Sequence, residues 1–238
     1  MSEWKAKRFW KDATVSLERD GYGVLLDGRP VRTPAKALLV LPTRALADAI
    51  AAEWDAQQGS IDPRSMPLTR SANAAIDKVA VQHGEVAQMI ADYGDSDLLC
   101  YRAPAPAELV ARQHEIWDPL LDWAANVLGA RLGIASGVVH VPQEPVALDR
   151  LSQRVHAMDS FALAAFHDLV SLSGSLIIGF AATLDHLEIE RLWQVSRLDE
   201  DWQIEQWGAD EDAAALAETK RLAFLHAKRF HDLSRPSR

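Results

Sequence analysis

The chain has a single cysteine and no long apolar run, and each shortage excludes a class of protein. Cys100 has no second cysteine with which to form an internal disulfide, so nothing calls for an oxidising compartment. The longest stretch without a charged residue, 169–184, contains three serines, two glycines and a threonine, and is too short and too polar to span a membrane. The first ten residues are basic but lack the apolar core of a secretory signal. We therefore expect a cytoplasmic protein without membrane insertion.

Motifs that bind nucleotides or metals, or that activate a nucleophile, are also missing. The glycines of residues 21–28 lack the spacing of a dinucleotide loop, and no G-x-x-x-x-G-K-[ST] loop occurs. There is no G-x-S-x-G elbow, no H-x-x-x-H pair and no C-x-x-C pair, and His226 and His231 are poorly spaced for one helix face. We expect no cofactor, no metal and no catalysis.

Positive charge is scarce as well. The chain carries 25 lysines and arginines against 34 aspartates and glutamates, a net charge of -9, whereas nucleic-acid binding needs clustered cations. The imbalance is local, because residues 185–218 contain eleven carboxylates and only Arg191 and Arg197 as basic residues. Two interpretations of this acidic segment stay open, a solvated helix face and a surface for a charged protein partner.

Residues 13–41 have the pattern of a small antiparallel β-meander with three or four strands. Short apolar runs alternate with the turn signals Asp20-Gly21 and Asp27-Gly28, whose residues tolerate the positive φ of tight hairpins. A sheet this small is marginal alone, so one face has to pack against other apolar residues.

Downstream of the meander the apolar spacing becomes helical. Thr43 is placed as the N-cap of a first helix that presents Leu46, Ile50 and Trp54 on one face and ends near Gly59. Because these three apolar residues share a face, we expect Trp54 to be a core residue.

The middle of the chain continues the helical pattern. Pro119 falls inside a long helix that it is expected to kink or split. Residues 134–145 are a short strand or a plain connection, and residues 146–184 predict two or three helices, the last of them nearly apolar and central to the core.

The C-terminal part has its own start and stop signals. Asp185 with Glu188 resembles a capping box that starts one helix running to Gly208, and a final helix follows over about 210–233. The last five residues are expected to be disordered.

These patterns predict an α+β fold. A small N-terminal antiparallel β-meander domain with the first helix covers residues 1–60, and a larger, mostly helical domain covers residues 61–238.

Several individual residues are candidates for packing or binding. Cys100 lies in an apolar run and is placed in the core, and Asp95 and Asp97 are interpreted as loop and capping residues before metal ligands. Trp202 and Trp207 lie in the acidic segment, where aromatics beside charge are typical of interface anchors, and core and interface stay equally open for them.

Six segments together carry a family pattern along nearly the whole chain. They are residues 7–11 (Lys-Arg-Phe-Trp-Lys), 22–34 (Tyr-Gly-Val through Arg-Thr-Pro), 52–57 (Ala-Glu-Trp-Asp-Ala-Gln), 66–77 (Met-Pro-Leu-Thr-Arg to Ala-Ile-Asp), 93–102 (Tyr-Gly-Asp-Ser-Asp to Tyr-Arg) and 196–208 (Ser-Arg-Leu to Trp-Gly). In this order they resemble the assembly chaperones of the ATP synthase F(1) sector that act on its α subunit.

The resemblance implies a function. It implies a factor that binds the free α subunit, shields a surface later buried against the β subunit, and does not hydrolyse ATP. It implies that functional weight lies on Glu200 or Asp201, between which the sequence does not choose, and that Trp54 matches a position on which the family depends. Only seven residues precede the Arg-Phe-Trp match, as in a bacterial cytoplasmic member, whereas relatives of the mitochondrial matrix carry a transit peptide.

The resemblance and the acidic segment together define a predicted site. The predicted partner-binding residues are Arg197, Asp199, Glu200, Asp201, Trp202, Glu205 and Trp207. The residues assigned to structural motifs are Trp54, Asp27, Gly28, Asp95 and Asp97. The expected partner is the α subunit, with no nucleic acid, and the chaperone is expected to be a monomer.

One alternative comes from another class of protein. A small-molecule enzyme would use the cleft between the sheet and the helices, with Asp95, Asp97 and Arg102 as its polar lining.

Overall fold

The N-terminal strands form an antiparallel sheet in the computed structural model, which describes residues 7–236. The strands are β1 (Ala13–Glu18), β2 (Gly21–Leu26), β3 (Arg29–Pro30) and β4 (Val40–Leu41). Strand β2 pairs with each of the other three, and every pairing is antiparallel. The predicted small meander is confirmed.

The turn between β2 and β3 depends on two residues with left-handed backbone. Asp27 and Gly28 have φ angles of 48° and 77°. The Asp27 carboxylate accepts hydrogen bonds from the backbone N–H groups of Asp12 and Lys11, each at 3.0 Å. These bonds lower the pKa of the Asp27 carboxyl. Asp27 thus ties the segment before β1 to the hairpin turn.

Most of the described chain after the sheet is helical. The helices are α1 (Arg44–Asp55), α2 (Pro67–Ala74), α3 (His83–Ala91), α4 (Ala107–Trp123), α5 (Pro145–His156), α6 (Ser160–Ser173), α7 (Leu176–Thr183), α8 (Ile189–Ser196), α9 (Leu198–Trp207) and α10 (Glu211–Ser234). Two further short strands, β5 (Tyr101–Arg102) and β6 (Ala135–Ser136), pair in parallel. The α+β fold predicted from the sequence is confirmed, and residues 134–145 contain the short strand that was one of two options.

Helix α1 packs one face against the sheet. The Thr43 hydroxyl accepts a hydrogen bond from the backbone N–H of Leu46 at 3.1 Å, as expected of an N-cap. Leu46 and Ile50 are fully buried, and the half-buried ring of Trp54 meets Trp10 edge to face at 5.3 Å. The helix ends at its twelfth residue, a turn earlier than predicted.

Helix α4 continues through Pro119, where we predicted a kink or a split. Pro119 cannot donate to the carbonyl of Glu115, but both residues are exposed, so water can bond that carbonyl. The irregular turn comes later, at Ala124–Leu128, and ends on Gly129 with a φ of 70°.

The predicted single helix from the Asp185 cap to Gly208 is wrong, because α8 and α9 are separate helices that meet at Arg197. The predicted capping box is wrong as well. Glu188 makes no side-chain cap, and Asp185 has a φ of 54° and binds Lys228 Nζ at 2.7 Å. The Asp185 carboxylate, which the local pattern predicted to cap a helix, instead pairs with Lys228, 43 residues away in the sequence.

Helix α7 is buried at all eight of its positions. Its N-terminus is bonded by Asp97, which lies far away in sequence and is fully buried. The Asp97 carboxylate accepts from the backbone N–H groups of Leu99 at 2.9 Å and Ile177 at 3.0 Å. The carboxylate thus lies at the N-terminal end of α7 as an acceptor for its backbone.

The described residues divide into two units by their backbone contacts. The first contains the residues up to His83, Asp159–Ala165 and those from Arg229 onward, and the second contains Gly84–Met158 and Phe166–Lys228. The predicted division at residue 60 stays a prediction. Ser234, expected to begin a disordered tail, is the last residue of α10 and is buried, whereas residues 237 and 238 lie outside the described part.

Candidate partner-binding site

The middle of the acidic segment, Leu198–Trp207, forms a helix of its own because one long-range and one local contact satisfy the end of the helix before it. At the C-terminal end of α8, the indole N–H of buried Trp117 donates to the Val195 carbonyl at 3.0 Å, and the Ser196 hydroxyl donates to the Trp193 carbonyl at 2.7 Å. Carbonyl groups of the last helical turn are thereby satisfied without continuing the helix. Helix α9 then starts at Leu198, its one buried residue.

Polar contacts to α4 hold α9 in place. Arg112 binds both Glu205 carboxylate oxygens, at 2.8 and 2.9 Å, and its guanidinium lies 4.9 Å from the ring centre of Trp202. Gln113, which is fully buried, donates to Asp199 Oδ1 at 2.7 Å. The hydrogen bond from Arg112 lowers the pKa of the Glu205 carboxyl. Three of the predicted partner-binding residues therefore also position the helix.

The opposite side of α9 faces solvent. Trp207 is 79% exposed, and Ile204, Glu200 and Asp201 are exposed too. Arg197 Nη1 donates to Glu200 Oε1 at 2.8 Å, so this carboxylate is already partly neutralised. The result is an exposed indole next to apolar and acidic side chains, which is the composition of an interface anchor.

A groove of about 260 Å³ runs along α9 where it meets α8 and α10. Trp193, Ile204 and Ala217 contribute to its apolar lining, and Arg197, Asp201 and Arg221 are among its polar residues. Partial desolvation there raises the pKa of the Asp201 carboxyl, and the positive charge of Arg197 opposes that shift. The groove thus carries both signs of charge around an apolar centre.

Comparison with known proteins identifies the family. A sequence model described as ATP12 chaperone protein matches residues 7–125. The crystal structure of Atp12 from Paracoccus denitrificans is 53% identical, with a TM-score of 0.95, over 98% of this chain and 100% of that one. An aspartate-to-lysine mutant of P. denitrificans Atp12p is 52% identical with a TM-score of 0.96 and the same coverage. The chain belongs to the ATP12 chaperone family.

A mitochondrial member is more distant. Protein atp12 of Schizosaccharomyces pombe is 27% identical over 219 residues, which are 87% of this chain and 75% of that protein. The resemblance described from six sequence segments is therefore confirmed at the level of the family.

The structural-motif residues of this ATP12 family chain lie at separate places in the fold. Asp27 and Gly28 form the hairpin turn, and Trp54 packs beside the sheet core. Asp95, which we predicted to be a loop residue, lies in a short 3-10 helix over Asp92–Ser96 and accepts from the Gln143 backbone N–H at 2.8 Å.

Two of the three residues proposed to line the cleft of an enzyme, Asp97 and Arg102, are buried and bonded within the fold. Asp97 is fully buried under two helix starts, and Arg102 is 3% exposed, with one guanidinium nitrogen on Asp118 at 2.6 Å and another on the Leu99 carbonyl. Cys100, the one available thiol, is buried, and burial raises its pKa far above the usual range. Members of the family are named chaperones, and these three residues serve packing and helix capping.

In residues 7–236, no group of three or more histidine, cysteine or carboxylate side chains is placed to hold a metal ion. No helix there is long and apolar enough to cross a membrane.

The sequence analysis missed Arg112 and Gln113. These residues bind α9 from positions 93 and 86 residues away along the chain. Nothing in the local pattern of α4 distinguishes them from ordinary surface residues of an amphipathic helix. Arg112 is the one lysine or arginine of α4 among four carboxylates, and this single positive charge is the sequence signal that relates α4 to the acidic segment.

Proposed function

We propose that this protein is an ATP synthase assembly chaperone that binds the free α subunit of the F(1) sector and shields its subunit interface until assembly. Membership of the ATP12 chaperone family supports the assembly role. The observation that carries the binding site is the exposed Trp207 on an acidic helix whose other face is fixed to α4.

The physical reason is the cost of leaving a large aromatic in water. An indole buries about 150–250 Å² of surface when it is covered, and exposed tryptophan is enriched at interface hot spots. The neighbouring carboxylates add long-range attraction for a cationic partner surface and disfavour acidic ones. Together the indole gives affinity and the carboxylates give selectivity.

Within the proposed site the residues divide by role. Glu200, Asp201 and Trp207 are the proposed contacts with the α subunit, since their side chains face solvent. The other predicted partner-binding residues are Arg197, Asp199, Trp202 and Glu205. We expect them to touch the client at their exposed atoms, and the last three also hold the helix against α4. The proposal needs the second group for the shape of the surface.

Charge reversal at Glu200→Lys and Asp201→Lys tests this assignment. Each should weaken binding of the free α subunit by tenfold or more, about 1.4 kcal/mol, because a lysine repels the cationic partner surface. The cost in stability should be about 1 kcal/mol or less, since Glu200 makes only a surface ion pair with Arg197 and Asp201 is an exposed residue. Titration of labelled α subunit gives the affinity, light scattering gives the suppression of α-subunit aggregation, and circular dichroism gives the melting temperature.

The matched control is Glu85→Lys. Glu85 is an exposed acid in the first turn of α3, so its reversal removes the same helix-dipole interaction far along the sequence from α9. Glu218 is unsuitable because it binds Arg221 at 2.8 Å and lines the same groove as Asp201. Equal client binding by wild type and both reversals would reduce the acidic segment to a solvated helix face.

The proposed compartment is the bacterial cytoplasm. The Paracoccus relatives are about half identical to this chain, and its one cysteine is buried and unpaired. Co-purification of the α subunit with tagged protein from a cytoplasmic extract checks both the compartment and the partner.

A further inference from the structure

The loop over residues 133–143 presents an apolar surface to solvent. Val138 is 96% exposed, Val139 75% and Val141 51%, and Ile134 is exposed as well. Single exposed valines are ordinary, but several in one loop make a patch that folding leaves uncovered. No lysine, arginine, aspartate or glutamate lies between Arg131 and Glu144. Although the chain has a net charge of -9, this loop is therefore an apolar surface patch without lysine, arginine or carboxylate side chains.

The two ends of this valine loop are clamped together. The side chain of Gln143, which is buried, accepts from the Gly133 N–H at 2.6 Å and donates back to the Gly133 carbonyl at 3.0 Å. The Gln143 backbone N–H donates to Asp95 Oδ1 at 2.8 Å. Gln143 therefore holds the two ends of the loop together and bonds them to Asp95, which precedes β5.

The middle of the valine loop is pinned as well. His140 lies 3.2 Å from Asp95 Oδ2 through Nε2 and 3.1 Å from the Tyr101 hydroxyl through Nδ1. The Gly137 N–H donates to the Arg102 carbonyl at 2.8 Å, next to the β5–β6 pairing. The side chains of Gln143 and His140 are bonded to neighbouring residues, whereas the valines face outward. Because the loop is ordered before any partner arrives, docking on it loses little conformational entropy.

From this arrangement we propose that the valine loop is a second contact for the client, which takes the apolar and uncharged part of the same α-subunit surface. The inference rests on the proposed function. Surfaces that end up in permanent complexes are more apolar than ordinary surface, so a chaperone that shields one needs an apolar contact in addition to an acidic one. A partner that is mainly cationic finds no carboxylate on this loop, and that favours an apolar occupant.

The test combines a double substitution, Val138→Ser/Val139→Ser, with a control at Val81→Ser. Val81 and Val139 are each 75% exposed, so the control removes an equally exposed valine from another part of the chain. We expect the double variant to bind the free α subunit about tenfold more weakly. The control should stay within about twofold, and both variants should melt like wild type.

Two further measurements separate this contact from the one on α9. The loss in the double variant should be the same at about 50 mM and 500 mM salt, whereas the loss in the Asp201→Lys variant should shrink as salt screens it. His140→Ala keeps the valines but removes the contacts of His140 with Asp95 and Tyr101. It should weaken binding by about threefold, because the loop can then move.

The outcomes are distinct. Wild-type protein that does not bind the α subunit overturns the proposed function and this inference together. Tight binding by wild type and equally tight binding by the double variant overturn the inference alone. A wild-type dimer in sedimentation velocity that the double substitution dissociates would assign the loop to self-association instead, and would overturn it as well.

Discussion

Helices α7 and α9 both have carboxylates at their N-terminal ends, but the two ends use them differently. Asp97 is fully buried against α7, whose eight residues are all buried. Asp199, Glu200 and Asp201 lie in the first turn of α9, where Leu198 is the buried residue. The attraction between carboxylates and a helix N-terminus is the same at both places. At α7 it stabilises the fold, and at α9 most of it remains at the surface.

The difference shows how a chaperone can carry an adhesive surface without losing its fold. Removing the Asp97 carboxylate leaves backbone N–H groups unpaired in an apolar interior, whereas removing the carboxylate of Glu200 or Asp201 on α9 leaves a position that water can reach. Three measurements can break or sharpen this contrast between α7 and α9.

The largest effect is expected from Asp97→Ala. Loss of the carboxylate leaves the backbone N–H groups of Leu99 and Ile177 without their acceptor in the core, which should lower the free energy of unfolding by about 3 kcal/mol. Urea denaturation at neutral pH measures this. The matched variant is Asp201→Ala in the first turn of α9, which should change stability by about 0.5 kcal/mol or less. Equal losses in the two variants would end the contrast.

The pH dependence of stability should give the next largest effect. Burial raises the pKa of the Asp97 carboxyl to about 6, against the opposing effect of the hydrogen bonds that it accepts. In the unfolded chain its pKa is about 3.9, so between pH 4 and 6 the folded state holds the proton more strongly. The stability that Asp97 contributes is therefore largest below pH 4 and falls by up to about 3 kcal/mol as pH rises to 6. The part that remains at neutral pH, from the hydrogen bonds that the carboxylate accepts, is the loss expected for Asp97→Ala.

Urea denaturation of wild type and Asp97→Ala from pH 4 to 7 isolates that contribution, because other groups titrate alike in both. The stability gap between the two proteins should narrow as pH rises. A gap that widens instead would mean that the backbone hydrogen bonds outweigh burial and hold the carboxylate ionised.

The smallest effect on stability is expected from Trp207→Ala. An indole that is mostly exposed contributes little packing, so the melting temperature should stay within about 2 °C of wild type. Binding of the α subunit, by contrast, should weaken at least tenfold. Phe9→Ala is the control, since Phe9 is 64% exposed and lies in another part of the chain. A loss of stability without a loss of binding would contradict the surface role of α9.

Local sequence signals account for the parts of the fold that local physics decides. Thr43 was recognisable as a cap, Asp27-Gly28 as a hairpin turn, and the apolar run of α7 as core. The break at Arg197 was not predictable, because the indole of Trp117, which bonds the last turn of α8, is brought there by tertiary packing. The same holds for the site, where composition located the acidic segment but α4 supplies Arg112 to bind it.

Pro119 shows the converse error. Its effect depends on whether the carbonyl that it leaves unpaired, that of Glu115, is buried or reached by water, and the prediction of a kink did not take the exposed face of α4 into account. Asp185 was misplaced for a similar reason, since a distant lysine competes successfully with the local helix end.

The attachment of α9 has a consequence for the time scale on which the client surface exists. One buried leucine and a few polar bonds to α4 hold this helix, so it can detach at a lower free energy than global unfolding requires. Its amide hydrogens should exchange with solvent far sooner than those of α7. The α subunit would then meet a helix that opens and recloses many times during the lifetime of one folded molecule.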